Sequence, residues 1–260
     1  MIISKFLTMF LCFSMYFIYF TKYIHLQSLL TYPILCVTNI YLILEVLIMN
    51  NLKTLKEILF SFILSLFFIL LSIEIVVNFK YLYYLDIKFL NLEHASNLSY
   101  YEIKLNYDYL IDFITSAKII DFNIPSFPSS TEGILHFYEV KDIFTNIKLL
   151  FYITAIISTF IAYYSFKNTN FHIFRYSFYI LFAIPLLLAT TFVLNFNKVF
   201  TYFHKIFFNN DFWIFDINKD PIINILPEEF FLHMAIFINI MVIIFAITCR
   251  KIYKKSSSLI

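Results

Sequence analysis

Six apolar stretches of about 20 residues each, the length that crosses a ~30 Å hydrocarbon core, constrain this chain more than any other feature. They run over residues 5–24, 28–48, 57–79, 146–167, 173–194 and 228–249. The sequence predicts an all-α polytopic membrane protein with about six transmembrane helices. It forms a single membrane domain over 1–260, with two extramembrane segments, 80–145 and 195–227. Hydrophobic residues make up 61% of the chain and charged residues 14%, against about 45–50% and ~25% in soluble domains. That balance excludes a globular enzyme on a membrane anchor.

The loops alternate in charge. On the side that carries both termini lie Lys5, Lys53, Lys56, Lys167, Arg175, Arg250, Lys251, Lys254 and Lys255, against the single acid Glu57. The other side holds ten lysines and fourteen acids. Lys and Arg stay in the compartment from which a chain is inserted, so the termini face a matrix or cytoplasm. The overall charge of +2 hides this asymmetry and gives no reason to expect nucleic acid as a partner.

Residue usage is biased. Phe numbers 35, Tyr 20 and Gly 1, although membrane helices use Gly freely where backbones approach closely. The favoured residues have A- and T-rich codons, which implies an AT-rich genome, read here as that of an organelle. The first span follows one lysine, lacks a small-residue cleavage site and is as long as the others, so it does not read as a leader.

Segment 80–145 alternates Tyr and Leu with charges and has helix-like spacing over about 100–121. It reads as a cap too short for a core of its own, packing on neighbouring subunits. Candidate functional groups are few. Glu45 and Glu74 are the acids within spans, and Glu57 opens the third span beside Lys53 and Lys56. Intramembrane carboxylates mark function, and a helix-start acid is also favoured by the helix dipole. The histidines His25, His94, His136, His172, His204 and His233 are scattered without metal-ligand spacing. Cys12, Cys36 and Cys249 form no CxxC and read as buried small hydrophobes. No catalytic residue, metal ligand or cofactor site follows from these patterns, and structural phospholipid and membrane lipids are the expected small-molecule partners.

The sole glycine lies in the stretch FPSSTEGILHFYEVKDIFTNIKLL, residues 127–150. This resembles the signature of cytochrome c oxidase subunit III, in which WPP-x-GI precedes EVPLLNT and a helix start. Phe127-Pro128 stands for Trp-Pro, Gly133-Ile134 for Gly-Ile, Glu139-Val140 for Glu-Val, and Thr145 for the family Thr. The run from Lys56 and Glu57 to Phe62 is similar to the family's third-helix start. His233 and Arg250 are spaced like a His and an Arg in its later helix, with Ile236 in place of a second His. The resemblance implies a non-metal-binding core subunit of a mitochondrial respiratory complex, complex IV. In that reading the chain sits in the mitochondrial inner membrane with both termini in the matrix. It packs against the haem-copper catalytic subunit and other subunits, and supports lipid binding and proton uptake. The chemistry would then lie in another chain. A complex I or ATP synthase subunit, or a transporter, remains the alternative.

The charge asymmetry generates a test of sidedness. Protease applied to the acidic side should leave the C-terminal tail around Arg250–Lys255 intact, and cleavage there would reverse the orientation.

Overall fold

The structure, a computed structural model, describes residues 36–116 and 121–257. The first expected span, the start of the second and the side chain of Glu45 lie outside the described residues. The chain divides into a unit over Met1–Lys53 and a larger one over Thr54–Ile260. Every described element is helical. In chain order they are α1 (Cys36–Asn78), α2 (Tyr81–Phe89), α3 (Leu92–Ser96), α4 (Tyr100–Thr115), α5 (Thr131–Lys167), α6 (His172–Phe207), a short 3₁₀ turn (Pro221–Ile225) and α7 (Glu228–Ser257). Among the described residues, four helices are long and apolar enough to cross a membrane: Asn51–Asn78, Thr131–Lys167, His172–Phe192 and Glu228–Ser256.

Within the larger unit the four long helices meet around Leu64, Ile161, Leu181, Val242 and Ala246. Close approach of backbones needs small side chains. In a chain with one glycine, serine does that work: Ser61, Ser65, Ser165 and Ser177 are fully buried. The Ser61 hydroxyl lies 2.6 Å from the Glu57 carbonyl and 2.8 Å from the Ile173 carbonyl. Ser177 donates back to the Ser61 carbonyl at 3.1 Å. Ser61 and Ser177 thus satisfy their hydroxyls on backbone while bringing α6 against α1.

Two helices differ from the expected spans in an informative way. α5 has 37 residues, about 55 Å at 1.5 Å per residue, well beyond one hydrocarbon thickness. Its apolar run fills the C-terminal part. The N-terminal turns, with Glu132, Glu139, Lys141 and Asp142, stand in the cap. α6 breaks at Asn195, whose backbone is extended (φ −171°, ψ 93°). The Asn195 side chain accepts from the Lys198 N–H at 2.9 Å, so it caps a second helical piece that ends at Phe207 and carries His204.

The cap has a core, but one that 80–145 does not build alone. Tyr83, Ile87, Leu92, Ile103, Tyr107 and Phe113 from that segment pack with Ile222, Ile225, Leu226 and Phe230 from beyond it. Two segments too small to bury a core singly thus share one. α4 begins with a capping box, in which Ser99 accepts from the Glu102 N–H while the Glu102 carboxylate accepts from the Ser99 N–H. Tyr83 joins the two segments: it is fully buried, its ring stacks on Tyr107, and its hydroxyl donates to the Ile225 carbonyl at 2.7 Å.

Removing that hydroxyl leaves a buried carbonyl without its donor, a loss of about 1–3 kcal/mol. Tyr83→Phe should therefore lower the thermal unfolding midpoint in detergent. Tyr101→Phe, at a ring 80% exposed, should leave it unchanged.

Candidate acid–base site at the cap

Ser130 caps α5: its hydroxyl accepts the Gly133 N–H at 3.0 Å. The same hydroxyl donates to Asp220 Oδ2 at 2.7 Å, and the Ser130 N–H donates to Asp220 Oδ1 at 2.8 Å. Asp220 is 4% exposed, and its carboxylate ties the start of α5 to the loop that follows α6. A Cβ on Gly133 would lie 2.9 Å from the Asp220 Cγ and closer still to Oδ1. Gly133 therefore sits in the first turn of a helix. The carboxylate's approach, rather than backbone freedom, requires it.

One turn along α5 stands His136, and in the last turn of α6 stands His204. Their ring centroids are 6.1 Å apart, and both residues are buried. Aromatic rings wall them in. Phe208 meets His136 edge-on at 4.7 Å and Phe215 meets it at 5.5 Å. Trp213 stacks on His204 at 4.7 Å, and Phe200 lies 4.3 Å from it. His204 Nδ1 is 2.7 Å from the Phe200 carbonyl. A carbonyl only accepts, so Nδ1 carries the proton and Nε2 keeps its lone pair. Burial holds His204 below the usual 6.5, against the opposing pull of the Phe200 carbonyl. At neutral pH its ring is therefore a base. The buried His136 Nδ1 has no hydrogen-bond partner.

Glu139 follows His136 by one further turn. It accepts from Asn210 Nδ2 at 2.7 Å, and the Asn210 carbonyl accepts from Trp213 Nε1 at 3.1 Å. The contacts thus run in a ring, from His136 to His204, Trp213, Asn210, Glu139 and back to the same face of α5. Two imidazoles walled by aromatic rings can take a proton from one atom and give an N–H to another. Among the described residues no three His, Cys, Asp or Glu side chains gather to hold a metal ion.

The residues singled out from sequence are dispersed. Gly133 and Glu139 belong to this site. Pro128 is exposed just before the Ser130 cap, Ile134 and Val140 pack on the cap core, and Thr145 is exposed on α5. Glu57 is buried midway along α1, where it accepts from Asn170 Nδ2 at 2.8 Å. Arg250 is exposed, its guanidinium 5.2 Å from the Phe178 ring. His233 Nδ1 bonds Asp86 at 2.9 Å, and Glu74 accepts from Asn78. Sequence spacing missed His136 and His204 because they come from different segments. The available signal is that both lie outside the apolar runs, each among aromatic neighbours, in LHFY and YFHKIFF.

Apolar helices joined to a packed cap, with buried imidazoles at its edge, define an integral membrane protein with a built acid–base site. The chain belongs to the Lit family: the sequence model of lipoprotein intramolecular transacylase Lit matches residues 58–231. It is similar to the solved structure of the membrane-integral lipoprotein intramolecular transacylase Lit from Bacillus cereus. That likeness has 33% identity and a TM-score of 0.77, and covers 80% of this chain and 97% of that one. Two further structures of that protein, with a histidine replaced by arginine or by alanine, match at 32% identity and a TM-score of 0.74. They cover 82% of this chain and 96% and 97% of theirs, respectively. No curated protein matches the chain.

These findings correct the reading drawn from the glycine-bearing stretch. The chain is not a cytochrome c oxidase subunit III or another respiratory subunit, and the haem-copper subunit and its neighbours are not its partners. The mitochondrial inner membrane reading is likewise overturned, since the similar structures are of a bacterial, membrane-integral protein. The physical reason is composition. With 35 Phe and 61% hydrophobic residues, short apolar motifs align by chance once gaps are allowed. An AT-rich genome explains the residue bias without an organelle. The expectation that the chemistry lies in another chain rested on that resemblance and falls with it.

The close contact at Gly133 predicts a coupled pair. Gly133→Ala should destabilise the protein by about 1–3 kcal/mol through overpacking. Asp220→Ala, which clears the space but leaves the Ser130 N–H unpaired, should be destabilising alone. The double variant should cost less than the sum of the two, as read from denaturation midpoints.

Proposed function

We propose that this chain catalyses an intramolecular acyl transfer on a lipoprotein, moving an acyl group between two atoms of one lipid-bearing molecule at the His136–His204 pair. The observation that carries the reading is the fixed tautomer of His204. With Nδ1–H held on the Phe200 carbonyl, Nε2 faces its surroundings as a base. Family membership and similarity to the Bacillus cereus protein supply the reaction class.

Acyl transfer needs a proton removed from the attacking atom, charge stabilisation on the carbonyl oxygen, and a proton returned to the leaving atom. Neutral His204 takes the first proton as the nucleophile adds to the acyl carbon. An N–H of His136 donates to the developing oxyanion. As the bond to the leaving oxygen breaks, His204 returns the proton to it, so both rings end as they began. Water would compete as nucleophile, and the walls of Phe200, Phe208, Trp213 and Phe215 exclude it.

Supporting this reading, exposed apolar residues along α5, among them Tyr152, Ile156, Phe160 and Tyr163, present a face for the membrane lipids in which an acylated substrate would lie. We also read the chain as crossing the membrane about six times, with both termini in the cytoplasm. The segments 80–145 and 195–227 then face outside, as the charge asymmetry indicates. No metal or redox cofactor is assigned to it.

His204→Ala and His136→Ala should each lower transfer by about 10²–10⁴-fold, followed by mass spectrometry of a synthetic acylated lipopeptide, with the folded state retained. Because burial lowers the His204 pKa, the basic form persists below pH 6.5. Activity should therefore hold through that pH and fall only at lower pH. A profile that falls with its midpoint above 6.5, or full activity in both variants, would remove the pair from the chemistry.

A further inference from the structure

Of the 19 Lys and Arg residues in the sequence, only Arg175 and Arg250 are arginines. They come from different helices, and the fold brings them together. α6 and α7 pack against each other, and each arginine reaches across to a ring on the other helix. The Arg175 guanidinium carbon lies 5.8 Å from the centre of the Tyr253 ring, and that of Arg250 lies 5.2 Å from the centre of the Phe178 ring. Phe178 follows Arg175 by one turn of α6, and Tyr253 follows Arg250 by one turn of α7. The two guanidiniums therefore stand about one helical turn apart along the seam between the helices. Both residues are exposed. Among the described residues neither forms an ion pair with an acid. Glu57, the acid at this end of the bundle, is buried and engaged by Asn170.

Two ordinary reasons for a cation do not account for this pair. Holding a loop on the insertion side needs either Lys or Arg, and the chain uses lysine everywhere else. A cation stabilises a helix at its C-terminal end, whereas Arg175 stands in the first turn of α6, at the positive end of the dipole. What sets arginine apart is its planar fork, which stacks on an aromatic face and still offers N–H groups to a phosphate. The surroundings say where that phosphate comes from. Tyr179, Phe182 and Leu186 follow Arg175 on the same face of α6, and all three are exposed. An apolar track thus leads from the guanidinium into the membrane. Basic pockets between membrane helices on the insertion side are where anionic headgroups bind. A zwitterionic headgroup would bring an ammonium to two cations, with no carboxylate to receive it. We propose that Arg175 and Arg250 bind the phosphate of an anionic phospholipid in the leaflet on the basic side of the membrane, with an acyl chain along Tyr179, Phe182 and Leu186. Arg175 stands at the opposite end of α6 from His204, so this lipid is a structural ligand, separate from the acyl-transfer site.

The test titrates the full-length protein in detergent with phosphatidylglycerol or with phosphatidylcholine of the same chains, and weighs the complexes by native mass spectrometry. The wild type should bind the anionic lipid about tenfold more tightly, as two cations beside a headgroup allow. Arg175→Lys combined with Arg250→Lys keeps both charges and removes both forks, and it should lose most of that preference. Lys254→Gln combined with Lys255→Gln removes two charges from the tail and should keep it. No preference in the wild type, an unchanged preference in the arginine variant, or an equal loss in the tail variant overturns the proposal. Should the arginine variant fail to fold, a photoactivatable phosphatidylglycerol on the wild type decides. Cross-links to peptides that carry Arg175 or Arg250 support the site, and cross-links confined to other peptides overturn it. Inorganic phosphate in excess distinguishes the source of the ligand. Retention of the lipid supports the membrane assignment, and displacement by phosphate gives the site to a soluble anion and overturns it.

Discussion

One buried carboxylate organises the site. Asp220, in the loop after α6, accepts both the backbone N–H and the hydroxyl of Ser130 at the start of α5. A charge this buried is stable only when paired or hydrogen-bonded, so the two segments are held together at this point. With the start of α5 fixed against the loop, His136 one turn later meets His204 at the end of α6, and the rings from Phe208 to Phe215 close around them. Gly133 is the residue that lets the carboxylate come so near. The only glycine in the chain is spent there, and serines take over the close helix contacts below.

The membrane helices were legible because their signal is local. Twenty apolar residues announce a span wherever it packs, and the later four stretches all correspond to described helices. Their true ends were less legible. α5 begins about four turns before its apolar run because Ser130 and Asp220 fix its start from a loop distant in sequence. The break at Asn195 was closer to readable, since the apolar pattern stops there and Asn is a good helix cap. The cap core was hidden for the same reason as the start of α5. Neither 80–145 nor 195–227 buries enough alone, and nothing in either segment says that Ile222 and Ile225 will complete the pocket around Tyr83 and Tyr107.

The site was harder still. Acid–base pairs are recognised in a sequence when they share a helix face or a motif, and His136 and His204 share neither. Gly133 and Glu139 did draw attention, but for an alignment with a respiratory subunit that composition makes easy to find and that the Lit family match overturns. What made those residues stand out was real: a unique glycine and an acid just outside an apolar run. The reason lay in tertiary contacts to Asp220 and Asn210, which no spacing rule encodes.

The central claim is that one enclosed pair of imidazoles passes an acyl group within a single lipoprotein molecule. The most direct measurement mixes two lipopeptides, one with a deuterated acyl chain and the other with an isotope-labelled peptide, and weighs the products. The account predicts transferred acyl groups that stay with their own peptide, without crossover. Scrambled labels would show transfer between molecules, and untransferred acyl groups would show that this pocket does other chemistry. Either result would contradict it.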